Sequence, residues 1–283
     1  MPKKRMQSPS SINTYLQCPR KYYFIYKMRM PTSPSIHLVR GNVAHTALED
    51  IYDVMPEVIE DGYKENLRII ITELLRKHWD NAKEDLAVLD MTKQELDMYY
   101  KETERMLLNY LDLFMQRLEQ QMANGLSFAD AFRKLTPQRE EEYLSWDYYV
   151  KGFIDVIENW DGKVRLMDYK TSKRAKITDA YKLQLAIYAL LYQEKHGTLP
   201  DEVGIYFLKH GEMKLDVTEE LVKHAQFAIE QIHASTEDTD DINDYPQKRS
   251  PLCKWSTGQC DFYDYCFKGK EIPSEPLPKR KYK

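Results

Sequence analysis

The first half of the chain carries apolar residues at helical spacing. The clearest stretch is 92–122, where Leu107, Leu111, Phe114 and Leu118 fall three or four residues apart and line one face of a helix. Similar spacing predicts further helices over 11–28, 42–60 and 64–84. The helices between residues 61 and 135 would form an insertion ahead of the strands that follow.

The pattern then changes to the alternation typical of strands. Residues 139–158 alternate and are rich in Tyr, Val and Ile, which predicts strand. Asp161-Gly162 is a strong two-residue hairpin turn, and 163–171 is the predicted returning strand. A sheet therefore begins with this hairpin.

The rest of the chain completes a mixed fold. A helix is predicted over 179–196, with Thr178 as its N-cap and Gly197 just past its end. Two short strands and a last helix are predicted over 203–209, 213–217 and 218–235. The order of elements indicates an α/β (α+β) chain in which helices flank a mixed β-sheet.

Composition supports a globular protein. The chain has 283 residues, 42% of them hydrophobic, which is enough for a substantial core. No apolar run approaches the roughly 18 residues that span a bilayer, so no membrane partner is expected. The first residues form no apolar signal segment, which predicts an intracellular, cytoplasmic location.

The net charge of −4 argues against coating duplex DNA by charge alone. Any contact with nucleic acid would need a local basic groove. Basic residues stand at both ends, in 3–5 and in a basic tail over 269–283, where they form either nucleic-acid contacts or solvated tails. The 21 tyrosines could stack on bases or pack helices together.

The hairpin register predicts a pair of adjacent carboxylates. With 161–162 as the turn, Trp160 pairs with Lys163, and counting back places Asp155 opposite Asp168. Residues opposed in this way have Cβ atoms about 4.5–5.5 Å apart on one face.

Lys170 shares that face, because it lies two residues beyond Asp168. Two close carboxylates repel each other unless a cation lies between them, and hard oxygen ligands suit Mg²⁺ or Mn²⁺. Such a metal can polarise a phosphoryl oxygen and activate water, while the lysine orients that water or neutralises developing charge. The alternative is a solvated hairpin with a cross-strand Asp–Lys salt bridge.

Two helices add side chains at four-residue spacing, which places each pair on one helix face. Gln184 and Tyr188 form one pair, and His45 and Glu49 form the other. Histidine is a common metal ligand and suits a carboxylate site. Each pair alone could equally serve packing or surface contacts.

At these residues the sequence resembles the PD-(D/E)XK nuclease superfamily, in its RecB-like branch. Four of its motifs occur in the expected order, as Gly41-x-x-x-His45, Gly152-x-x-Asp155, Asp168-x-Lys170 and Gln184-x-x-x-Tyr188. The resemblance implies a restriction-endonuclease-like core, with 1–283 as a single nuclease domain and 136–235 as its catalytic core.

The resemblance also implies roles for the site residues. Metal binding falls to His45, Asp155, Asp168 and the carbonyl of Tyr169. Lys170 would be catalytic together with the two aspartates, and Gln184 and Tyr188 would position DNA or the catalytic residues.

The chain has four cysteines. Cys253, Cys260 and Cys266 cluster as C-x6-C-x5-C within a segment over 251–268, and Cys18 lies in an N-terminal segment over 11–41. An intracellular setting argues against two disulfides. Four thiolates can hold zinc or an iron–sulfur cluster, and spacing alone does not choose between them, although the two short Cys pairs of zinc fingers are absent.

The one-plus-three arrangement resembles the iron–sulfur nucleases of the superfamily, such as AddB-type and CRISPR-adaptation nucleases. Ser11-x3-Tyr15-x2-Cys18-Pro19 looks like their N-terminal cysteine segment, and 260–266 like their closing pair. Many relatives have two residues, not six, between the first two C-terminal cysteines. The resemblance implies a 4Fe-4S cluster that ties the chain ends together, with Zn²⁺ as the alternative.

By this resemblance the chain would be a metal-dependent DNA nuclease. The expected activity is exonucleolytic, on single-stranded DNA or free ends, in repair, recombination or CRISPR adaptation. The alternatives are a structure-specific endonuclease and a non-catalytic DNA-binding subunit that retains the fold. The chain has no G-x-x-x-x-G-K-[ST] loop, so unwinding would need a separate helicase.

Overall fold

The fold is described by a computed structural model, over residues 5–160, 162–256 and 258–278. The chain forms two compact units. The central unit comprises Pro34–Tyr143 and Phe153–Thr218. The terminal unit comprises Met1–Ser33, Leu144–Gly152 and Glu219–Lys283. The assignment of the whole chain to one nuclease domain stays a prediction.

The sheet has five strands, which lie side by side in chain order. They are β1 (Gln138–Ser145), β2 (Val150–Trp160), β3 (Lys163–Lys170), β4 (Glu202–Phe207) and β5 (Gly211–Asp216). β2 and β3 are antiparallel, β3 and β4 are parallel, and β4 and β5 are antiparallel. The predicted mixed sheet is therefore confirmed.

The described part of the central unit contains seven α-helices, and the assignment of 61–135 as an insertion stays a prediction. They are α3 (Ile36–Asp50), α4 (Pro56–Ile59), α5 (Tyr63–Asn81), α6 (Lys83–Ala87), α7 (Lys93–Ala123), α8 (Phe128–Leu135) and α9 (Asp179–His196). The range 61–135 is helical, as predicted. Thr92 and Glu95 form a capping box that starts α7.

α9 has the ends that the sequence predicts. The side chain of Thr178 accepts a hydrogen bond from the N–H of Tyr181, and Gly197 ends the helix with a φ of +74°. The helix connects the parallel strands β3 and β4 and packs on both. It can therefore project side chains toward the strand that carries Asp168.

Three predicted boundaries were wrong. The helix predicted over 42–60 is α3, which begins at Ile36 and ends at Asp50. Met55 is extended because Pro56 disfavours the helical conformation before it. The strand predicted over 139–158 is two strands, β1 and β2, separated by a turn in which the N–H of Tyr148 donates to Ser145 Oγ.

The third boundary lies in the terminal unit. The helix predicted over 11–28 breaks at Cys18, whose extended backbone (φ −162°, ψ 109°) precedes Pro19. The unit contains α1 (Pro9–Gln17), α2 (Pro19–Tyr22), a π-helical turn (Tyr23–Lys27), α10 (Glu219–Thr236), a 3-10 turn (Ile242–Asp244), β6 (Lys254–Trp255), β7 (Gly258–Gln259) and α11 (Tyr263–Phe267).

The core of the central unit contains a cluster of buried tyrosines. Tyr110 on α7 lies between two other phenols: its hydroxyl is 2.6 Å from that of Tyr52 and 3.0 Å from that of Tyr169. Tyr206 stacks on Tyr169 at 5.8 Å between ring centroids. The insertion helix α7 therefore packs directly on strand β3.

Some predicted features lie outside the described residues: Asp161 of the hairpin turn, Lys3 and Lys4, and the basic residues 279–283. Gly162, next to the turn residue, has the positive φ (+75°) that favours glycine. In the described ranges, every helix is too short or too polar to cross a membrane.

Candidate active site

The β2–β3 hairpin has the predicted register. Trp160 pairs with Lys163, and the pairing continues until one residue short of Asp155 and Asp168. Both carboxylates therefore lie at the same end of the ladder. Asp155 is 8% exposed and Asp168 is 2% exposed, so neither charge is fully solvated.

His45 on α3 lies beside Asp155 and the backbone of Tyr169. Its Nε2 is 2.8 Å from the Tyr169 carbonyl oxygen, and its Nδ1 is 3.3 Å from Asp155 Oδ2. The same Oδ2 accepts a hydrogen bond from the Tyr169 N–H at 2.9 Å. Burial lowers the pKa of His45, so the ring is neutral at pH 7 and has a nitrogen lone pair for a cation.

Asp168 on β3 is hydrogen-bonded to a side chain of α9. Lys170 Nζ lies 2.5 Å from Asp168 Oδ2. Gln184 Nε2 donates to Asp168 Oδ1 at 2.7 Å and also lies 2.7 Å from the Tyr188 hydroxyl. The structure thus brings Gln184 and Tyr188 to the hairpin, as their four-residue spacing on one helix face allows.

The charges of the site are not balanced by the protein. Burial, and then the carboxylate of Asp168, raises the pKa of Asp155 well above its usual range. Burial alone would lower the pKa of Lys170, but the charge and hydrogen bond of Asp168, together with the charge of Asp155, raise that pKa on balance. Lys170 is therefore charged and compensates one carboxylate, while the second remains costly to ionise without a cation nearby.

Glu140 on β1 is a site residue that the sequence did not single out. Ligand atoms of Glu140, His45 and Asp155 lie within 4.8 Å of one another. Glu140 has a φ of 48°, a conformation that costs a non-glycine residue about 1–2 kcal/mol. Its only sequence signal is an acidic residue in a strand, which is too common to be specific.

Glu49 lies one turn beyond His45 on α3 and faces Glu140. Burial, and then the charge of Glu140, raises the pKa of Glu49 to about 7. The shared helix face predicted for His45 and Glu49 therefore carries both side chains to this acidic group.

The donor set fits a divalent cation. It offers carboxylate oxygens, a neutral imidazole and the Tyr169 carbonyl, which are ligands suited to Mg²⁺ or Mn²⁺. Burial and Asp168 raise the pKa of Asp155, and a bound cation would stabilise the ionised carboxylate and lower that pKa.

In the terminal unit, a small hairpin places two cysteines opposite each other. β6 and β7 pair through Lys254 and Gln259. Just beyond this pair, the N–H of Cys260 donates to the Cys253 carbonyl at 3.0 Å. The long C-x6-C spacing therefore forms a two-stranded hairpin, which still brings its two cysteines together.

The N-terminal cysteine lies near the other three. Arg20 Nε donates to the Tyr245 carbonyl at 2.7 Å, and Lys248 Nζ donates to the Leu16 carbonyl at 2.9 Å. These bonds connect residues on either side of Cys18 to the segment just before the C-terminal cysteines.

The thiols influence one another electrostatically. Burial, and then Cys18, raises the pKa of Cys266 to about 11, and Cys260 and Cys253 add to this effect. In the part of the chain that the structure describes, no three cysteine sulfurs lie within 4.8 Å of one another. The effect of Cys18, Cys253 and Cys260 on the pKa of Cys266 shows that these thiols lie near it.

Comparison with known proteins agrees with this geometry. The profile of the PD-(D/E)XK nuclease superfamily matches residues 7–267. A similar solved structure is the "Putative exonuclease" from Eubacterium rectale, with a TM-score of 0.53, 14% sequence identity, and coverage of 97% of this chain and 91% of that one. At this identity the likeness concerns the fold. No match is found among curated proteins.

The superfamily profile spans the β2–β3 hairpin, the helices that carry His45 and Gln184, and the four cysteines. The sequence match, the mixed sheet and the clustered His, Asp and Lys side chains agree, and the chain belongs to the PD-(D/E)XK nuclease superfamily.

Proposed function

We propose that the chain is a divalent-metal-dependent DNA nuclease of the RecB-like branch, which degrades single-stranded DNA from free ends. The observation that carries this proposal is the convergence of His45, Asp155, Asp168 and Lys170 in the central unit. Two buried carboxylates with one ammonium form an arrangement that requires a cation and can act on a phosphodiester. The exonuclease mode is supported by the sequence resemblance and by the name of the similar solved structure.

Each side chain has a distinct part in the proposed reaction. His45, Asp155, Asp168 and the Tyr169 carbonyl would hold Mg²⁺ or Mn²⁺, with Glu140 as an additional carboxylate. The bound ion supplies polarisation of the phosphoryl oxygen and a lowered pKa for the attacking water. Lys170 keeps its proton beside Asp168 and is placed to stabilise negative charge that develops on the phosphate.

Gln184 and Tyr188 would hold this arrangement in place. Gln184 bonds to the Asp168 oxygen that does not face Lys170, so it fixes the rotation of that carboxylate. The Tyr188 hydroxyl in turn lies against the Gln184 amide. The two residues are therefore positioning residues in this proposal.

The four cysteines would hold a 4Fe-4S cluster. Four thiolates on one zinc, at about 2.3 Å each, would lie roughly 3.8 Å apart. The sequence resemblance favours the cluster over zinc, since a cluster spreads its four thiolate ligands over several irons. Cys18 and the C-terminal cysteines are more than 200 residues apart, so their shared ligation would close a long loop and stabilise the terminal unit.

One experiment tests both parts. Protein purified without oxygen should be brown, contain iron and sulfide, and degrade linear single-stranded DNA with Mn²⁺. Circular single-stranded DNA of the same sequence should resist. A chain that cuts the circle is an endonuclease, and one that binds DNA but cuts neither form is a binding subunit.

A further inference from the structure

A group of basic side chains lies beside the catalytic strand in the central unit. It consists of Arg40 on α3, Lys173 in the loop after β3 and Lys209 in the turn between β4 and β5, and we call it the basic step. One carboxylate, Glu102 on α7, lies among these three cations. This positive surface contrasts with the net charge of −4 for the chain.

Glu102 holds the basic step together. It forms ion pairs with both Arg40 and Lys209. Burial alone would raise the pKa of Glu102, but Lys209, Arg40 and Lys173 together lower it, so it is ionised at neutral pH. Three basic side chains thus act on a single carboxylate in the basic step.

No further positive charge is expected from the histidine at this surface. Burial, together with the charges of Arg40 and Lys173, lowers the pKa of His37 on α3. His37 is therefore neutral at pH 7, and the basic step does not depend on its titration.

Hydrogen bonds to backbone carbonyl groups connect the basic step to the segment that carries Lys170. The Leu208 N–H, next to Lys209, donates to the Lys170 carbonyl at 3.0 Å. Arg40 also donates to the Thr171 carbonyl, one residue after Lys170, at 3.0 Å. A ligand on the basic step therefore lies within a few residues of the groups that would act on a phosphodiester.

The loop after β3 is anchored where it carries Lys173. The ring Nε2 of His210 lies 2.9 Å from the Lys173 carbonyl, which ties the loop to the β4–β5 turn. The Lys173 side chain is exposed, whereas that of Arg40 is 2% exposed. Arg40 thus serves as a buried support, Lys173 is the exposed cation, and Lys209 is 19% exposed and would share its charge between Glu102 and a ligand.

The surface of α3 has free space at Gly41, between Arg40 of the basic step and His45. Gly41 lies one turn before His45, and a Cβ at this position would meet no atom within 4 Å. A chain of phosphates could run along this surface without obstruction from the helix.

We propose that the basic step binds the DNA phosphate next to the scissile one, through Lys173 and Lys209. This inference rests on the proposed DNA nuclease activity and adds where the strand lies relative to the active site. Lysines contact phosphates as point charges, without reading the sequence. The contacts orient the strand and act mainly on binding, because neither lysine belongs to the proposed catalytic set.

The test is the salt dependence of DNA binding by the full chain. Binding of a labelled oligothymidine in EDTA, where no cutting is expected, is measured by anisotropy from roughly 50 to 200 mM salt. The slope of log K against log salt is negative, and each phosphate contact removed from a single strand should reduce its magnitude by about 0.7. Lys173→Gln and Lys209→Gln should each show this change, and the double variant about twice it.

A matched control separates local from general charge effects. Lys64→Gln removes an exposed lysine on α5 that pairs with Glu119, and its slope should equal that of the wild type. With Mn²⁺ the Lys173 and Lys209 variants should raise KM and leave kcat nearly unchanged. Their Tm values report whether the fold is kept.

Failure of the proposed nuclease function and failure of the proposed phosphate site would give different results. If the wild type neither binds nor cuts DNA, the proposed nuclease function is wrong. If the wild type binds and cuts, but the double variant keeps the wild-type slope and KM, the basic step is not a phosphate site. If Lys64→Gln changed the salt slope as much as Lys173→Gln or Lys209→Gln does, the local assignment would also be refuted.

Discussion

The two units hold their candidate reactive groups by different means. In the central unit, protein contacts position the polar atoms themselves: His45 on the Tyr169 carbonyl, Asp155 on the Tyr169 N–H, and Asp168 between Lys170 and Gln184. In the terminal unit, backbone bonds and packed rings position the cysteines, and Cys253 Sγ makes a long contact of 3.9 Å to the Lys248 carbonyl.

This difference predicts how each unit depends on its bound group. The carboxylate site is held in place by hydrogen bonds, so the fold of the central unit should survive without a cation. The described contacts of the thiols are with backbone groups near Cys253 and Cys260, and a group that binds all four thiols contributes its binding free energy to folding. Loss of the cation should therefore stop the chemistry, and loss of the cluster should lower stability.

The largest effect is expected from the metal ligands. Asp155→Ala or Asp168→Asn should reduce cleavage to the background without metal, because each removes a proposed ligand. Thermal melting should show that Asp155→Ala still folds, because relief of the repulsion with Asp168 offsets the loss of the hydrogen bond from the Tyr169 N–H. Glu119→Ala, an exposed carboxylate on α7, is the control and should cut normally. Wild-type cleavage by either site variant would remove the assignment.

A smaller loss is expected from the lysine. Lys170→Ala should lower the cleavage rate by at least ~10²-fold, the effect of losing one group that stabilises developing charge. Its affinity for Mn²⁺, measured by calorimetry, should change much less, because an ammonium is not a ligand. Lost metal binding with an unchanged rate would mean that Lys170 has been given the wrong role.

The smallest effect on cleavage is expected from the cysteines. Cys18→Ala should remove the colour as completely as Cys260→Ala and should lower Tm by about 2–4 °C for each kcal/mol lost. Residual cleavage should persist at low temperature, because the central unit carries the proposed active site and none of the four cysteines. A Cys18→Ala protein with full colour and stability would refute shared ligation, and stoichiometric zinc in a colourless wild type would refute the cluster.

The central site was largely predictable because its geometry is local. A two-residue turn sets the hairpin register, and the register sets which side chains are opposed, so Asp155, Asp168 and Lys170 follow from counting. Gln184 and Tyr188 follow from helical periodicity, although only the motif resemblance linked them to the hairpin.

Glu140 and the basic step could not be predicted in this way. Glu140 reaches His45 through a left-handed backbone conformation inside a strand, which no alternation pattern reveals. Arg40, Glu102, Lys173 and Lys209 come from four separate elements, so their charges are scattered along the sequence. Such groups are defined by packing between elements, and local propensity carries no information about it.

The helices of the range 61–135, the caps of α9 and the β2–β3 hairpin could be predicted from the amino-acid sequence, because turn chemistry and side-chain periodicity act over a few residues. The arrangements of His45 on the Tyr169 carbonyl and of Gln184 on Asp168 are visible only in the folded chain. These arrangements depend on contacts between distant segments, whose free energies are settled by the packing of the whole unit.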